Sequence, residues 1–201
     1  MKKRSARFTE ETRETRIEGA VAIDGERRIS VNSGVGFLDH MLTTLAFHAG
    51  WDLELKCRGD LEVDDHHTAE DCALALGRAL DRALGEREGV ARFGSAYAPL
   101  DEALARAVVD LSGRPWPSVD LGLERQMLGT LAAENVEHVL ISLAVSLRAA
   151  IHVDVLKGTN DHHRAEAAFK ALALALGQAL APAATPGVPS TKGVLRGDTT
   201  P

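Results

Sequence analysis

"DDHHTAEDCALALGRAL", Asp64 to Leu80, returns about ninety-five residues later as "NDHHRAEAAFKALALAL", Asn160 to Leu176. Both stretches open on paired histidines and continue with apolar residues at helical spacing. In the first, Asp64 or Asp65 serves as an N-cap and Gly85 as a stop. A second correspondence lies upstream: "FLDHMLTTLA" (Phe37–Ala46) answers "NVEHVLISLA" (Asn135–Ala144), again helical in spacing. Between the helices of each half, "WDLELKC" and "RAAIHVDVLKG" alternate as strands. Residues 11–35 read as strands flanking Asp24-Gly25, a hairpin-type turn. Arg92–Leu123 reads as strands with a turn at Ser112-Gly113.

Each half therefore reads strands, helix, strand, helix. The period is too long for a solenoid, and two copies predict a pseudo-twofold α+β fold. The first unit covers residues 8–90 and the second 91–182, with a Pro-, Thr- and Gly-rich tail over 183–201. Alanine-rich inner faces allow the helices to pack closely.

A chain of 201 residues, 45% hydrophobic, is long enough for one compact domain or two packed halves. Its formal net charge of −6 supplies no basic field, so nucleic acid is not an expected partner. Cys57 and Cys72 have neither paired nor zinc-type spacing, which suits a reducing compartment. The start "MKKRSARFTEETRE" lacks the apolar core of a signal peptide, and the apolar stretches are too short to span a bilayer. A soluble cytoplasmic protein with no membrane partner is expected.

Six of the eight histidines fall in the repeated motifs; only His48 and His152 lie outside, the latter mid-strand with a structural reading. A helix turns about 100° per residue, so His66 and Glu70 share a face while His67 points elsewhere. The same holds for His162, Glu166 and His163. With His40 and His138 added there are eight candidate ligands, enough for two metals with three histidines and one glutamate each. Imidazole and carboxylate without thiolate suit manganese, iron, nickel or zinc. Open coordination positions favour manganese or iron over closed structural zinc. Asp64, Asp65 and Asp71 read as caps, dipole partners or supports for the imidazoles. Arginines are usually solvated, but Arg92, Arg114, Lys170 and the "PSTKG" turn with Ser190 and Lys192 could hold a phosphate. Two other readings fit the residues: a dinuclear metallohydrolase cleaving a phosphate ester, and a non-catalytic metal-storage cage. The cage is disfavoured by the His-His-x-x-Glu order and the intervening strands.

"GFLDHML", "DDHHTAED", "RFGSAYAPLDEAL", "DLSGRP", "NDHHRAEAAFKALA" and "PSTKG" together resemble the imidazoleglycerol-phosphate dehydratases of histidine biosynthesis, in the form without an added phosphatase domain. "LERQMLGTLAAENVEHVL" departs most, with Val139 and Leu140 where aromatic residues are common in the family. The resemblance implies two ribosomal-protein-S5-domain-2-like units, their four-stranded sheets flanking a helical layer. It implies two manganese ions per active site on the eight ligands, and a homo-oligomer of twenty-four subunits built from trimers with shared sites. Glu14, in "TRETRIEG", matches the family's acid–base residue and joins His67 and His163 in the catalytic set. His40, His66, Glu70 and His162 would also meet substrate, His48 would line the pocket, and Arg92, Arg114, Lys170, Ser190 and Lys192 would hold the phosphate.

Overall fold

A computed structural model of the chain describes residues 4–183, 187–190 and 195. The first half runs β1 (Ser5–Glu11), β2 (Thr15–Ala22), β3 (Ile29–Asn32), α1 (Gly36–Ala49), β4 (Asp52–Gly59) and α2 (His66–Leu84). The second runs β5 (Phe93–Leu100), β6 (Ala103–Asp110), β7 (Trp116–Asp120), the short strands β8 (Met127–Leu128) and β9 (Leu131–Ala132), α3 (Ala133–Leu147), β10 (Ala150–Lys157) and α4 (Asp161–Leu180). The β8–β9 hairpin is an insertion with no counterpart in the first half, and its sequence carries no strong strand period.

Two four-stranded sheets result, ordered β1-β2-β4-β3 and β5-β6-β10-β7. In each, the last-named edge strand runs parallel to its neighbour and the other pairings are antiparallel. This corrects the hairpin expected at Asp24-Gly25. β4 lies between β2 and β3, so the chain crosses over at that point. Gly25 serves close approach instead: a Cβ there would sit 2.1 Å from the Asp52 backbone nitrogen. The first strand also starts earlier than expected, at Ser5, and its hairpin partner is β2.

α2 packs on the first sheet and α4 on the second, while α2 meets α3 and α1 meets α4 across the middle. The helical layer between the sheets is thus built from both repeats. Its contacts are close because small residues line them. A Cβ on Gly77 of α2 would fall 2.0 Å from Ser146 Oγ on α3, so only glycine fits that crossing. Buried Ala69, Ala73, Ala75, Ala168, Ala171 and Ala175 do the same along α2 and α4, around the larger Leu38, Met41, Trp51 and Phe169. A buried arginine ties the halves together. Arg87, 1% exposed, donates to Asp81 Oδ1 at 2.5 Å and to the carbonyls of Leu147 (2.6 Å) and Arg148 (3.1 Å) at the end of α3. Its charge is therefore paired and three of its donors are used, which offsets the cost of burying a guanidinium.

Candidate active site

The helix exchange places each upstream histidine beside the motif of the opposite repeat. His40 on α1 meets His162 and Glu166 on α4; His138 on α3 meets His66 and Glu70 on α2. In the first cluster, His40 Nε2 and His162 Nε2 lie 3.1 and 3.2 Å from the same oxygen, Glu166 Oε2. Lys170 Nζ takes the other, Oε1, at 2.8 Å. Phe37 sets its edge against both imidazoles, at 6.2 and 5.3 Å between centroids. In the second cluster, Glu70 stands 3.6 Å from His66 Nε2 and 3.2 Å from His138 Nε2. His66 is oriented by Asn135, whose Oδ1 lies 2.9 Å from Nδ1 and whose Nδ2 donates to Asp65 Oδ2 at 3.0 Å.

Asp65 is therefore committed to α3, also accepting from the Ala132 amide at 2.7 Å. The helix start is capped instead by Asp64, which accepts from the His66 amide at 2.8 Å. In the second repeat Asn160 caps the His162 amide at 2.9 Å.

His67 and His163 stand apart from both clusters, as the helical turn requires. A carboxylate holds the Nδ1 of each: Asp60 Oδ2 at 3.0 Å for His67 and Glu102 Oε2 at 2.7 Å for His163. Asp60 raises the His67 pKa above the ordinary value. His163 in turn holds Glu102 at about 2, helped by the Asn160 and Thr159 amides. Each Nε2 is left facing outward, 3.6 Å from Glu14 Oε1 and 3.7 Å from Asp101 Oδ2 respectively. This is the carboxylate–histidine arrangement that fixes the tautomer of a metal-binding imidazole.

The clusters fit a divalent cation. In each, one ligand atom per residue lies within 4.8 Å of the others, close to the ~4.2 Å that separates ligands on opposite sides of an ion with bonds of ~2.1 Å. His138 Nε2 is buried without a hydrogen-bond partner, despite Glu70 Oε1 at 3.2 Å. A buried ring nitrogen in that position calls for a ligand. Burial pushes the Glu166 carboxyl up, but the hydrogen bonds to Lys170 and His40 outweigh it and hold the group at about 2. Its carboxylate is ionised and ready to coordinate.

His48 lies two helical turns beyond His40. Burial first, then the nearby Lys170 and Arg27 charges, lower its pKa, so it favours the neutral ring. Arg92 is not the unpaired side chain that its sequence context suggests. It donates to Asp110 at 2.7 and 3.1 Å and to the Pro189 carbonyl at 2.7 Å. Those three bonds leave two of its five N–H donors. Ser190 itself donates its amide to the Val188 carbonyl at 2.8 Å. Arg114 is exposed after the Ser112-Gly113 turn. Lys192 lies outside the described residues. His152 is exposed mid-strand on β10. Sequence reasoning missed Asp60, Glu102 and Asn135; the histidine-rich segments gave no sign of which polar residue would support each ring.

The family model for imidazoleglycerol-phosphate dehydratase matches residues 33–176. Proteins of that name from Eremothecium gossypii and Neurospora crassa are similar, at 61% and 52% identity. The first match covers 83% of this chain and 76% of the relative; the second covers 96% of each. A relative from Phytophthora nicotianae is 56% identical over 96% of this chain, which spans 42% of that longer protein. Among solved structures, the Staphylococcus aureus enzyme superposes with a TM-score of 0.80 at 36% identity, covering 89% of this chain and 99% of its own. The Pyrococcus furiosus enzyme also gives 0.80, at 37% identity, covering 94% and 100%.

Proposed function

Because the chain belongs to the imidazoleglycerol-phosphate dehydratase family of hydro-lyases, we propose that it dehydrates D-erythro-1-(imidazol-4-yl)glycerol 3-phosphate to 3-(imidazol-4-yl)-2-oxopropyl phosphate. The reaction serves histidine biosynthesis in the cytoplasm and uses two manganese ions per active site. Among the described residues no helix is long and apolar enough to cross a membrane.

The observation that carries this reading is the pair of clusters, His40 with His162 and Glu166, and His66 with Glu70 and His138. Each gathers imidazole and carboxylate donors without thiolate, a set that suits manganese among the divalent metals named above. An ion held by these residues would supply Lewis acidity to the elimination. His67 and His163, each held at Nδ1 by a carboxylate, belong to neither cluster of their own chain. They complete sites on neighbouring subunits, in a homo-oligomer of twenty-four subunits built from trimers.

Glu14, beside His67 Nε2, takes the proton from C2; that proton and the hydroxyl lost from the adjacent carbon together make up the water released, and the resulting enol ketonises. His48 offers a neutral ring to the pocket, the protonation state its surroundings favour. Lys170, anchored on Glu166, joins Arg92, Arg114, Ser190 and Lys192 around the phosphate, which stays on the product. Incubation of the manganese-loaded protein with imidazoleglycerol phosphate should yield an enolisable ketone and no inorganic phosphate. Phosphate release without ketone would mean a hydrolase instead.

A further inference from the structure

We propose that Thr15 and Asp71 are a positioning pair that holds Glu14 over His67, an inference that rests on the reading of Glu14 as the proton carrier. Glu14 sits in the three-residue connection between β1 and β2. A side chain half exposed there would sample many rotamers unless its backbone were fixed. The Thr12 amide donates to the Thr15 carbonyl at 2.9 Å, closing the turn. Thr12 Oγ1 then accepts from the amides of Glu14 (3.1 Å) and Thr15 (2.9 Å). Thr15 Oγ1 donates to Asp71 Oδ2 at 2.5 Å, so its oxygen is free to accept from Thr12 Oγ1 at 3.3 Å. A directed chain thus runs from Asp71 on α2 to the backbone of Glu14. Asp71 lies four residues beyond His67, on the same side of the helix. The turn and the imidazole it faces are therefore fixed to one rigid element.

The second repeat provides an internal control. Thr15 opens β2, and the residue that opens β6 is Ala103. Asp71 follows the motif glutamate, and Ala167 holds that place on α4. Both polar partners are replaced by alanines, 1% and 0% exposed, and the unit folds in the same way. The hydroxyl–carboxylate pair is thus not a requirement of the architecture. The hairpin carboxylate of the second repeat is also used differently. Glu102 accepts from the amides of Thr159 (3.1 Å) and Asn160 (2.9 Å) and holds His163, so it is fully occupied as a support. In the first repeat Asp60 takes over the support of His67. Among the described residues the Glu14 carboxylate meets no cationic side chain other than His67, and only its turn is tethered. One hairpin is a brace, and the other presents its carboxylate to His67 from a fixed mount.

The test compares Thr15→Val, Thr15→Ser and the double variant Thr15→Ala/Asp71→Ala, which copies the second repeat, each alone and combined with Glu14→Gln. All are prepared as the manganese-loaded assembly. Thr15→Val and the double variant should lose kcat by about 10- to 100-fold, the usual scale for a residue supporting an active group. KM and manganese content should stay near those of the parent, and Thr15→Ser should recover most of the rate. On the Glu14→Gln background, itself slowed by about 10²- to 10⁴-fold, removing the pair should cost almost nothing further. Parental kcat in both Thr15→Val and the double variant, with Glu14→Gln impaired, would overturn the pairing while sparing the role of Glu14. Full activity of Glu14→Gln would overturn both. A loss of bound manganese, or an undiminished further loss on the Glu14→Gln background, would show that the pair acts through Glu70 or the fold and would refute the proposal.

Discussion

His40 Nε2 and Glu166 Oε2 lie 3.1 Å apart although 126 residues separate them, because α1 of one repeat crosses α4 of the other. The second cluster repeats this exchange in reverse, with His138 reaching Glu70 at 3.2 Å. Duplication alone would give two independent units. The exchange makes each candidate metal cluster depend on both, so neither repeat assembles one by itself.

If the clusters hold the ions, His162→Ala should remove one of the two manganese ions per chain and abolish turnover, with the circular dichroism spectrum unchanged. Elemental analysis of the purified variant checks the first point and a steady-state assay the second. Normal manganese content or normal turnover at saturating substrate would contradict the assignment.

Arg92 has donors left after bonding Asp110 and Pro189, and its planar fork suits a phosphate. Arg92→Lys keeps the charge but loses the fork. Its KM should rise by roughly 10-fold or more, the scale of one charge-assisted hydrogen bond, and inorganic phosphate should inhibit it less. An unchanged KM and phosphate inhibition constant would remove Arg92 from the phosphate site.

Glu166 makes a pH prediction for the metal-free chain. Its folded-state pKa of about 2 lies below the ordinary 4.5, so its ionised form stabilises the fold. That contribution is complete above 4.5 and is lost as the pH falls through about 2. The stability advantage of the parent over Glu166→Gln, read from urea midpoints, should therefore shrink as the pH is lowered through this window. A gap independent of pH would contradict the ion-pair account.

The repeated motif made the duplication, the α+β class and the two histidine–glutamate faces legible, because helical spacing is a local property. The sheet order was not legible. Asp24-Gly25 has hairpin chemistry, yet β4 inserts between the flanking strands, and no local signal encodes a strand that arrives later. Arg92 looked free because Asp110 lies at the far end of a hairpin. Asp60 was not singled out although it lies only 7 positions before His67, and Glu102 and Asn135 carried no signal at all. Their roles follow from tertiary neighbours 61 and 69 residues away.

The central claim is that each chain carries incomplete metal clusters that other chains finish with His67 and His163. Removing manganese should reduce the assembly to inactive small oligomers, since coordination energy is then assembly energy. The most direct measurement mixes two inactive variants, His40→Ala/His138→Ala and His67→Ala/His163→Ala, as metal-free subunits and reassembles them with manganese. Sites formed by an intact cluster from one variant and intact outward histidines from the other should restore a substantial fraction of turnover. A mixed assembly of full mass and parental metal content in its intact clusters, yet without activity, would contradict the shared site.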